Sequence, residues 1–137
     1  MWDNSKSLLL SRYWMKLAYG IWFVSPIFCL YLLRHDIIAV AIYSGCYLPI
    51  LFIFRYMSNF LENIAKGEIF IPDNVKYLRL VSWACFWAAV FLLFGALAVP
   101  ILILLSCVIG FFGLLMRVIK NMLFEANLLK EENDYTI

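Results

Sequence analysis

The sequence contains one histidine, His35, which stands between Arg34 and Asp36. General acid–base and nucleophilic catalysis require several titratable groups that meet in one pocket. A single His beside a single Asp does not meet that requirement. We interpret the segment as a short loop in which the Arg34 side chain extends toward water, and a pH-sensing role for His35 is the alternative. The protein is therefore predicted not to be an enzyme.

The four cysteines also lack the spacing of a chemical site. They stand inside apolar runs, with no Cys-x-x-Cys pair and no neighbouring His, at Cys29, Cys46, Cys85 and Cys107. We interpret them as small packing residues and expect no metal site and no cofactor. The cations are scattered along the chain and the net charge is only +2, which argues against direct binding of nucleic acid.

The elements that carry these residues are membrane-spanning by composition. The chain is 66% hydrophobic and 15% charged, whereas soluble domains are roughly 45–50% apolar and about 25% charged. A single core of this size cannot bury so many large apolar side chains. We therefore predict that the lipid bilayer covers them.

Charge-free runs locate the spans. Residues 17–33 and 37–54 each approach the ~20 residues that cross a bilayer. Residues 80–116 also lack charge, and as one helix they would extend for about 55 Å, so this run must fold back. The Val99-Pro100 pair favours a turn near its middle. The predicted fold is all-α, a four-helix transmembrane bundle of two hairpins in a single domain, with a turn near 96–100 and spans at about 15–33, 37–56, 77–96 and 99–120.

The basic residues predict the orientation. If the four helices alternate in direction, every Lys and Arg except Arg34 lies on one side of the membrane. Flanking segments rich in Lys and Arg stay in the cytoplasm. We therefore predict a multi-pass protein with both termini in the cytoplasm, a cytoplasmic connector at 57–76 and a cytoplasmic tail at 121–137.

The connector combines a helical pattern with a turn. Its apolar residues share one helical face, so the second span is expected to continue as a helix toward Gly67, which suits a left-handed C-terminal cap. Asp73 or Asn74 is expected to cap a further helix that begins at Val75. Residues 67–74 are thus predicted to form a structured turn.

The fourth span is also expected to continue into the cytoplasm, because apolar residues recur at helical spacing beyond Met116. This stripe consists of Val118, Ile119, Met122, Leu123, Ala126 and Leu129. It could pack on the extension of the second span, lie on the membrane surface or receive a partner protein. The polar tail at 130–137 is expected to be short and exposed.

Transport of ions or ionic substrates requires Asp, Glu, Lys, Arg or His at membrane depth. The central part of each predicted span lacks them, which argues against a transporter or pore. Small residues, including Ser106, Gly110 and Gly113, recur at spacings that allow close helix packing. We expect this packing within the chain, and a homo-oligomer is the alternative.

Two motifs resemble a known family. Residues 66–70 read Lys-Gly-Glu-Ile-Phe and are followed by Asn74, and the chain ends in Glu-Asn-Asp-Tyr-Thr-Ile. This pattern resembles the bacterial family called domain of unknown function 2975, in which the tail commonly has leucine at the position of Tyr135. The resemblance implies four spans in a bacterial cytoplasmic membrane. It also implies an association with a small helix-turn-helix transcriptional regulator.

Three functions are consistent with these features. The first is a non-enzymatic regulator that anchors or sequesters a cytoplasmic partner such as a transcription factor. The second is an immunity or self-protection protein that binds an external peptide or toxin, although little chain is available on the outer side. The third is a small transporter or pore. The candidate partner-binding residues are Gly67, Phe70, Asn74, Arg79, Glu131, Glu132, Asn133, Asp134 and Tyr135.

Overall fold

A computed structural model describes residues 4–135, together with their side chains except those of Asn4, Leu33 and Tyr135. The described chain is entirely helical, with α1 at Asn4–Leu33, α2 at Ile37–Ala65, α3 at Pro72–Gly95 and α4 at Leu102–Tyr135. All four helices are long and apolar enough to cross a membrane. The predicted all-α fold with four membrane-crossing helices is confirmed, and the protein is a multi-pass membrane protein.

The short loop between α1 and α2 is a helix cap. The Asp36 carboxylate accepts hydrogen bonds from the backbone N–H groups of Ile38, at 3.1 Å, and Ala39, at 3.2 Å. These N–H groups have no partner inside the helix, so the carboxylate stabilises the first turn of α2. The Arg34 Nε donates to His35 Nε2 at 3.1 Å. The Asp36 carboxylate, next to His35 in the sequence, is therefore used to cap α2.

The turn between α2 and α3 begins as the sequence predicts. Gly67 has a φ of +80°, which a residue with a Cβ adopts only at a cost. Its N–H donates to the Ile64 carbonyl at 3.0 Å, and the N–H of Glu68 donates to the Asn63 carbonyl at 2.9 Å. These bonds satisfy carbonyls at the end of α2, as a left-handed glycine cap does.

The start of α3 differs from the prediction. The helix begins at Pro72 rather than Val75, and Ile71 occupies the N-cap position without a side-chain cap. Proline suits the first helical position because its φ is already helical and its missing N–H needs no partner there. Capping by Asp73 or Asn74 was therefore the wrong prediction, since both residues lie inside the first turn of α3.

The helices pack in chain order. α1 packs against α2, α2 against α3 and α3 against α4, with no other close approach among the described helices. α3 is therefore central and contains most of the buried residues. The core consists of Leu78, Val81 and Cys85 of α3 with Met116 of α4.

The extension of α4 does not lie along the extension of α2. Leu123 packs against the core, but Val118, Met122 and Leu129 are 54%, 64% and 61% exposed. Packing on α2, one of the three predicted alternatives for the stripe, is thus not observed, because α3 separates the two helices.

Small residues bring α3 and α4 together. Ser82 Oγ donates to the Gly113 carbonyl at 3.0 Å, and Ser106 Oγ donates to the Ala89 carbonyl at 2.7 Å. A Cβ on Gly113 would lie 3.0 Å from the Cβ of Cys85, so a larger residue would separate the helices. Hydroxyl groups and small side chains are typical of helix pairs in membranes. This part of the small-residue pattern serves packing within the chain.

α1 is held on α2 by aromatic and polar contacts. The Trp22 Nε1–H donates to the Tyr47 carbonyl at 3.0 Å, and the two rings stack with centroids 5.9 Å apart. Ser25 and Tyr43 form a hydrogen bond through their hydroxyl groups. The described side chains of α1 are all at least partly exposed, so α1 is the least enclosed of the four described helices.

Candidate partner-binding groove

One end of the molecule carries nearly all of the charge. Each helix has a cation at the boundary of its charge-free part, Lys16, Arg55, Arg79 and Arg117 respectively. We call these residues and the helical segments beyond them the charged end. The longest of these segments is 118–135 of α4, about 27 Å at ~1.5 Å per residue.

The boundary between α3 and α4 is marked by an arginine that contacts aromatic rings. The Arg117 Cζ lies 5.4 Å from the centroid of the Trp83 ring and 5.8 Å from that of Phe86. Such cation–π contacts stabilise a guanidinium where water is scarce. Trp83 is 59% exposed, as expected of an indole at a membrane interface. This contact joins α3 and α4 at the boundary between their charge-free and charged parts.

A groove of about 320 Å³ lies beyond this boundary, between α3 and α4. Its lining residues recur at three- and four-residue steps on both helices, so each helix contributes one face. The α3 face consists of Pro72, Val75, Lys76 and Arg79, and the α4 face consists of Phe124, Asn127, Leu128 and Glu131. The groove thus combines apolar side chains with charged ones.

The charges of the groove are open to a ligand. Lys76, Arg79 and Glu131 are exposed and none of them forms an ion pair with a described residue. The two cations stand on α3, whereas the carboxylate stands on α4. A partner with acidic groups toward α3 would therefore gain charge-assisted contacts.

Asn127 adds a specific polar group to the groove. Its Oδ1 is buried and accepts no hydrogen bond from the described residues. A buried acceptor without a donor is costly, and most such groups in proteins have a partner. Because this atom is enclosed, a ligand donor can reach it only if the Asn127 side chain turns toward the groove.

The turn that approaches the groove is organised by Asn74. This residue is 0% exposed. Its Nδ2 donates to the carbonyls of Glu68, at 2.8 Å, and Ile69, at 2.9 Å, while its Oδ1 accepts from Asn63 Nδ2 at 3.0 Å. Asn74 therefore shapes the turn from behind and cannot itself contact a partner.

The α2–α3 turn contacts α4 through Phe70. The Lys130 Nζ lies 5.7 Å from the centroid of the Phe70 ring, within the distance of a cation–π contact. Phe70 is 45% exposed. The turn and the C-terminal part of α4 thus form one continuous surface beside the groove.

The predicted site residues fall into three groups. Arg79 and Glu131 line the groove, and Phe70 lies beside it. Gly67 is exposed in the turn and Asn74 is buried beneath it. The remaining predicted residues belong to the last turn of α4, where the side chain of Tyr135 lies outside the described residues; the others, all exposed, are Glu132, Asn133 and Asp134.

Sequence reasoning missed several groove residues. Lys76 and Asn127 were not predicted, nor were Phe124 and Leu128. The available signal was the spacing of Phe124, Asn127, Leu128 and Glu131, which marks one face of α4. The more apolar stripe from Val118 to Leu129 obscured it.

The described residues contain no group of three His, Cys, Asp or Glu side chains that could hold a metal ion. The largest-volume surface grooves on the membrane-crossing parts, including one of about 490 Å³ between α2 and α3, are lined by apolar and aromatic residues. The α3/α4 groove contains two of the residues predicted from the sequence, Arg79 and Glu131.

Comparison with known proteins identifies the family. A family model described as "Protein of unknown function (DUF2975)" matches residues 11–137, which is nearly the whole chain. This match confirms the family resemblance predicted from the sequence. No curated protein and no solved structure matches the chain.

Proposed function

We propose that this chain, which belongs to the DUF2975 family, is a non-enzymatic membrane protein that binds a soluble cytoplasmic partner in the groove between α3 and α4. The partner class that we propose is a small helix-turn-helix transcriptional regulator, which the protein would anchor or sequester at the membrane. The observation that carries the proposal is the groove itself, which combines apolar side chains with charged groups that form no ion pair with a described residue.

The proposed cytoplasmic location is supported by the cation distribution. All Lys and Arg residues except Arg34 belong to the charged end or its flanking segments. Positive flanks are retained in the cytoplasm. With four crossing helices, both termini would then be cytoplasmic, in the cytoplasmic membrane of a bacterium, and the groove would be open to soluble proteins.

The shape of the groove supports a helical ligand. A channel between two helices accepts a third helix whose apolar residues recur at i, i+3, i+4 and i+7. The complementary helix would carry acidic residues toward Lys76 and Arg79. Helix-turn-helix proteins are composed of short amphipathic helices, so they offer such a face.

A binding role also agrees with the groups present in the groove. It contains cations, one carboxylate and one amide, but no Ser, Cys or His that could act as a nucleophile or a general base near neutral pH. These groups supply recognition rather than bond cleavage. This supports the non-enzymatic part of the proposal.

The test uses the full-length protein in native membranes. If a helix-turn-helix protein is encoded beside this gene, it is the partner to assay, both by co-purification and by transcription of a reporter that it controls. Lys76→Glu reverses a groove charge and is expected to lower partner binding by roughly ten-fold or more, because like charges then face each other.

Lys120→Glu is the matched control. It makes the same charge change on α4 at a residue that does not line the groove, so binding and reporter output should be retained. Comparable abundance of both variants in the membrane establishes that insertion is intact. Wild-type binding and reporter output in Lys76→Glu would refute the groove as the partner site.

A further inference from the structure

A second polar concavity lies at the membrane boundary between α1 and α2. It has a volume of about 230 Å³ and is lined by Lys16, Tyr19, Arg55, Ser58 and Asn59. Two cations and three neutral hydrogen-bonding side chains thus converge at the level where the charge-free parts of both helices end. Arginine and lysine together with hydroxyl and amide donors are the groups that bind phosphate oxygens.

The cations of this pocket are largely unneutralised. Arg55 is exposed and forms no ion pair with a described residue. Lys16 contacts Glu62 with a distance of 3.4 Å between Nζ and the carboxylate oxygen, but the two side chains are 60% and 36% exposed. Ion pairs this exposed are weak, so a phosphate can compete with Glu62 for Lys16.

The pocket continues into an apolar groove. Lys16 also lines a second concavity of about 610 Å³, which extends along α1 toward the opposite end. The groove is shallow and open, because its other lining residues all stand on α1 and most are exposed: Leu17, Gly20, Ile21, Val24, Ser25, Phe28 and Cys29. From residue 16 to residue 29 the groove runs for roughly 20 Å at ~1.5 Å per residue. One leaflet of a bilayer is about 15 Å of hydrocarbon, so the groove is long enough for one acyl chain.

We propose that this composite site binds an anionic phospholipid, with the headgroup phosphate at Lys16 and Arg55 and one acyl chain in the groove along α1. A polar pocket joined to an apolar groove at the membrane boundary has the two-part chemistry of a phospholipid. Basic pockets between membrane helices are known to select anionic headgroups. A free phosphate would use the polar pocket only and would leave the groove without a role.

A substitution at Gly20 tests the apolar groove independently of the polar pocket. A Cβ built on Gly20 meets no other atom within 4 Å, so a larger side chain can be accommodated without disturbing the contact with α2. Gly20→Leu would fill the apolar groove and leave the cations in place. Gly20→Ala adds only one carbon and is its matched control.

The experiment titrates the purified full-length protein in neutral detergent with phosphatidylglycerol or phosphatidylcholine and counts bound lipid by native mass spectrometry. Phosphatidylglycerol is expected to bind more tightly, by about five-fold for each cation that contacts it. Arg55→Gln should therefore weaken phosphatidylglycerol binding about five-fold and phosphatidylcholine binding by less, because the choline cation of phosphatidylcholine offsets its phosphate. Lys6→Gln removes an exposed cation outside the pocket and should change neither.

Two further results decide the source of the phosphate. Gly20→Leu should weaken phosphatidylglycerol binding while Gly20→Ala does not, and inorganic phosphate should compete poorly with the lipid. Glu62→Gln should strengthen binding, because it frees Lys16. The proposal is overturned if the two lipids bind equally, if Arg55→Gln behaves like Lys6→Gln, or if inorganic phosphate displaces the lipid readily and Gly20→Leu has no effect.

Discussion

Replacing Asn74 tests the role of the buried side chain beneath the α2–α3 turn. In Asn74→Asp the side chain keeps its size, but the Nδ2 group that donates to the carbonyls of Glu68 and Ile69 becomes an oxygen. A carboxylate oxygen would then face two carbonyl oxygens in a position that is 0% exposed. We expect the turn to be strongly destabilised.

The size of the effect follows from the hydrogen bonds. Three bonds depend on the Asn74 side chain, and each contributes about 1 kcal/mol net. The turn carbonyls can bind water once the turn opens, so Asn74→Ala should lower the free energy of unfolding by about 2–3 kcal/mol. Asn74→Asp adds repulsion and a buried charge, and the loss should reach about 4 kcal/mol.

The assay is unfolding of the purified protein by a graded series of denaturing detergent, followed by near-ultraviolet circular dichroism. Asp73→Asn is the matched control, because Asp73 is the exposed neighbour and the substitution is equally isosteric. It should cost less than about 1 kcal/mol, the usual contribution of an acidic residue in the first helical turn. Acidic buffer should reduce the deficit of Asn74→Asp, because a protonated carboxyl group recovers one donor.

If Asn74→Asp is as stable as the wild type and as Asp73→Asn, the turn does not depend on this side chain and our account of it is wrong. If stability falls but partner binding persists at equal abundance, the turn is structural and does not support the α3/α4 groove. Both quantities are therefore measured on the same membrane preparations.

Three further predictions concern the turn, the topology and the tail. Gly67→Val should cost about 1–2 kcal/mol from backbone strain alone, since a Cβ at this glycine meets nothing within 4 Å; detergent unfolding measures it, and an unchanged midpoint would contradict the left-handed cap. In a cysteine-free background, cysteines at Ser5 or Thr136 should react with an impermeant reagent only after cells are permeabilised; labelling of intact cells would refute the proposed orientation. Truncation after Lys130 keeps the Phe70 contact but removes Glu131 from the groove, so partner co-purification should fall while abundance stays near normal, and full retention of both would exclude the tail from the binding surface.

The number of long helices and the turn between α3 and α4 could be predicted from the sequence because a membrane limits the length of a charge-free helix. A charge-free run has a maximum length, so residues 80–116 had to turn back, and Pro100 lies in the turn between α3 and α4. Gly67 could be predicted as a left-handed cap because a glycine after an amphipathic helix has few other uses. These arguments need no knowledge of how the helices pack.

The position of Asn74 could not be predicted in the same way. Asparagine favours caps and turns equally, and the pattern offered Asp73 and Asn74 as competing caps of a helix that would begin at Val75. The start at Pro72 was decided by its fixed φ and missing N–H. The Asn74 side chain therefore does not cap the helix, and its Nδ2 donates to the carbonyls of Glu68 and Ile69 in the turn.

The groove depends on information that is absent from any single helix. Lys76 and Asn127 meet only because α3 and α4 are rotated so that these faces converge. That rotation is set in the membrane by close contacts such as the bond from Ser82 to the Gly113 carbonyl. Sequence periodicity identifies faces but does not say which two of them meet.

The α3–α4 hairpin has an apolar tip. Leu97 is 87% exposed and Ile101 is 70% exposed. The N–H groups of Ala98 and Val99 both donate to the Gly95 carbonyl, so much of the backbone at the tip has partners within the hairpin. A tip of this kind can remain at the depth of lipid chains, where unpartnered backbone groups would be costly.

This tip has a consequence for the match between the protein and the thickness of its membrane. The charge-free part of α3, residues 80–95, is roughly 24 Å of helix, which is shorter than the ~30 Å hydrocarbon layer. We expect the α1–α2 loop, which carries Arg34 and Asp36, to stay at headgroup level, and the α3–α4 hairpin to be anchored at the charged end alone. Hydrophobic mismatch would then be absorbed at the free tip. We expect the hairpin to insert with little penalty in thinner or thicker bilayers, while α1 and α2 adjust by tilting.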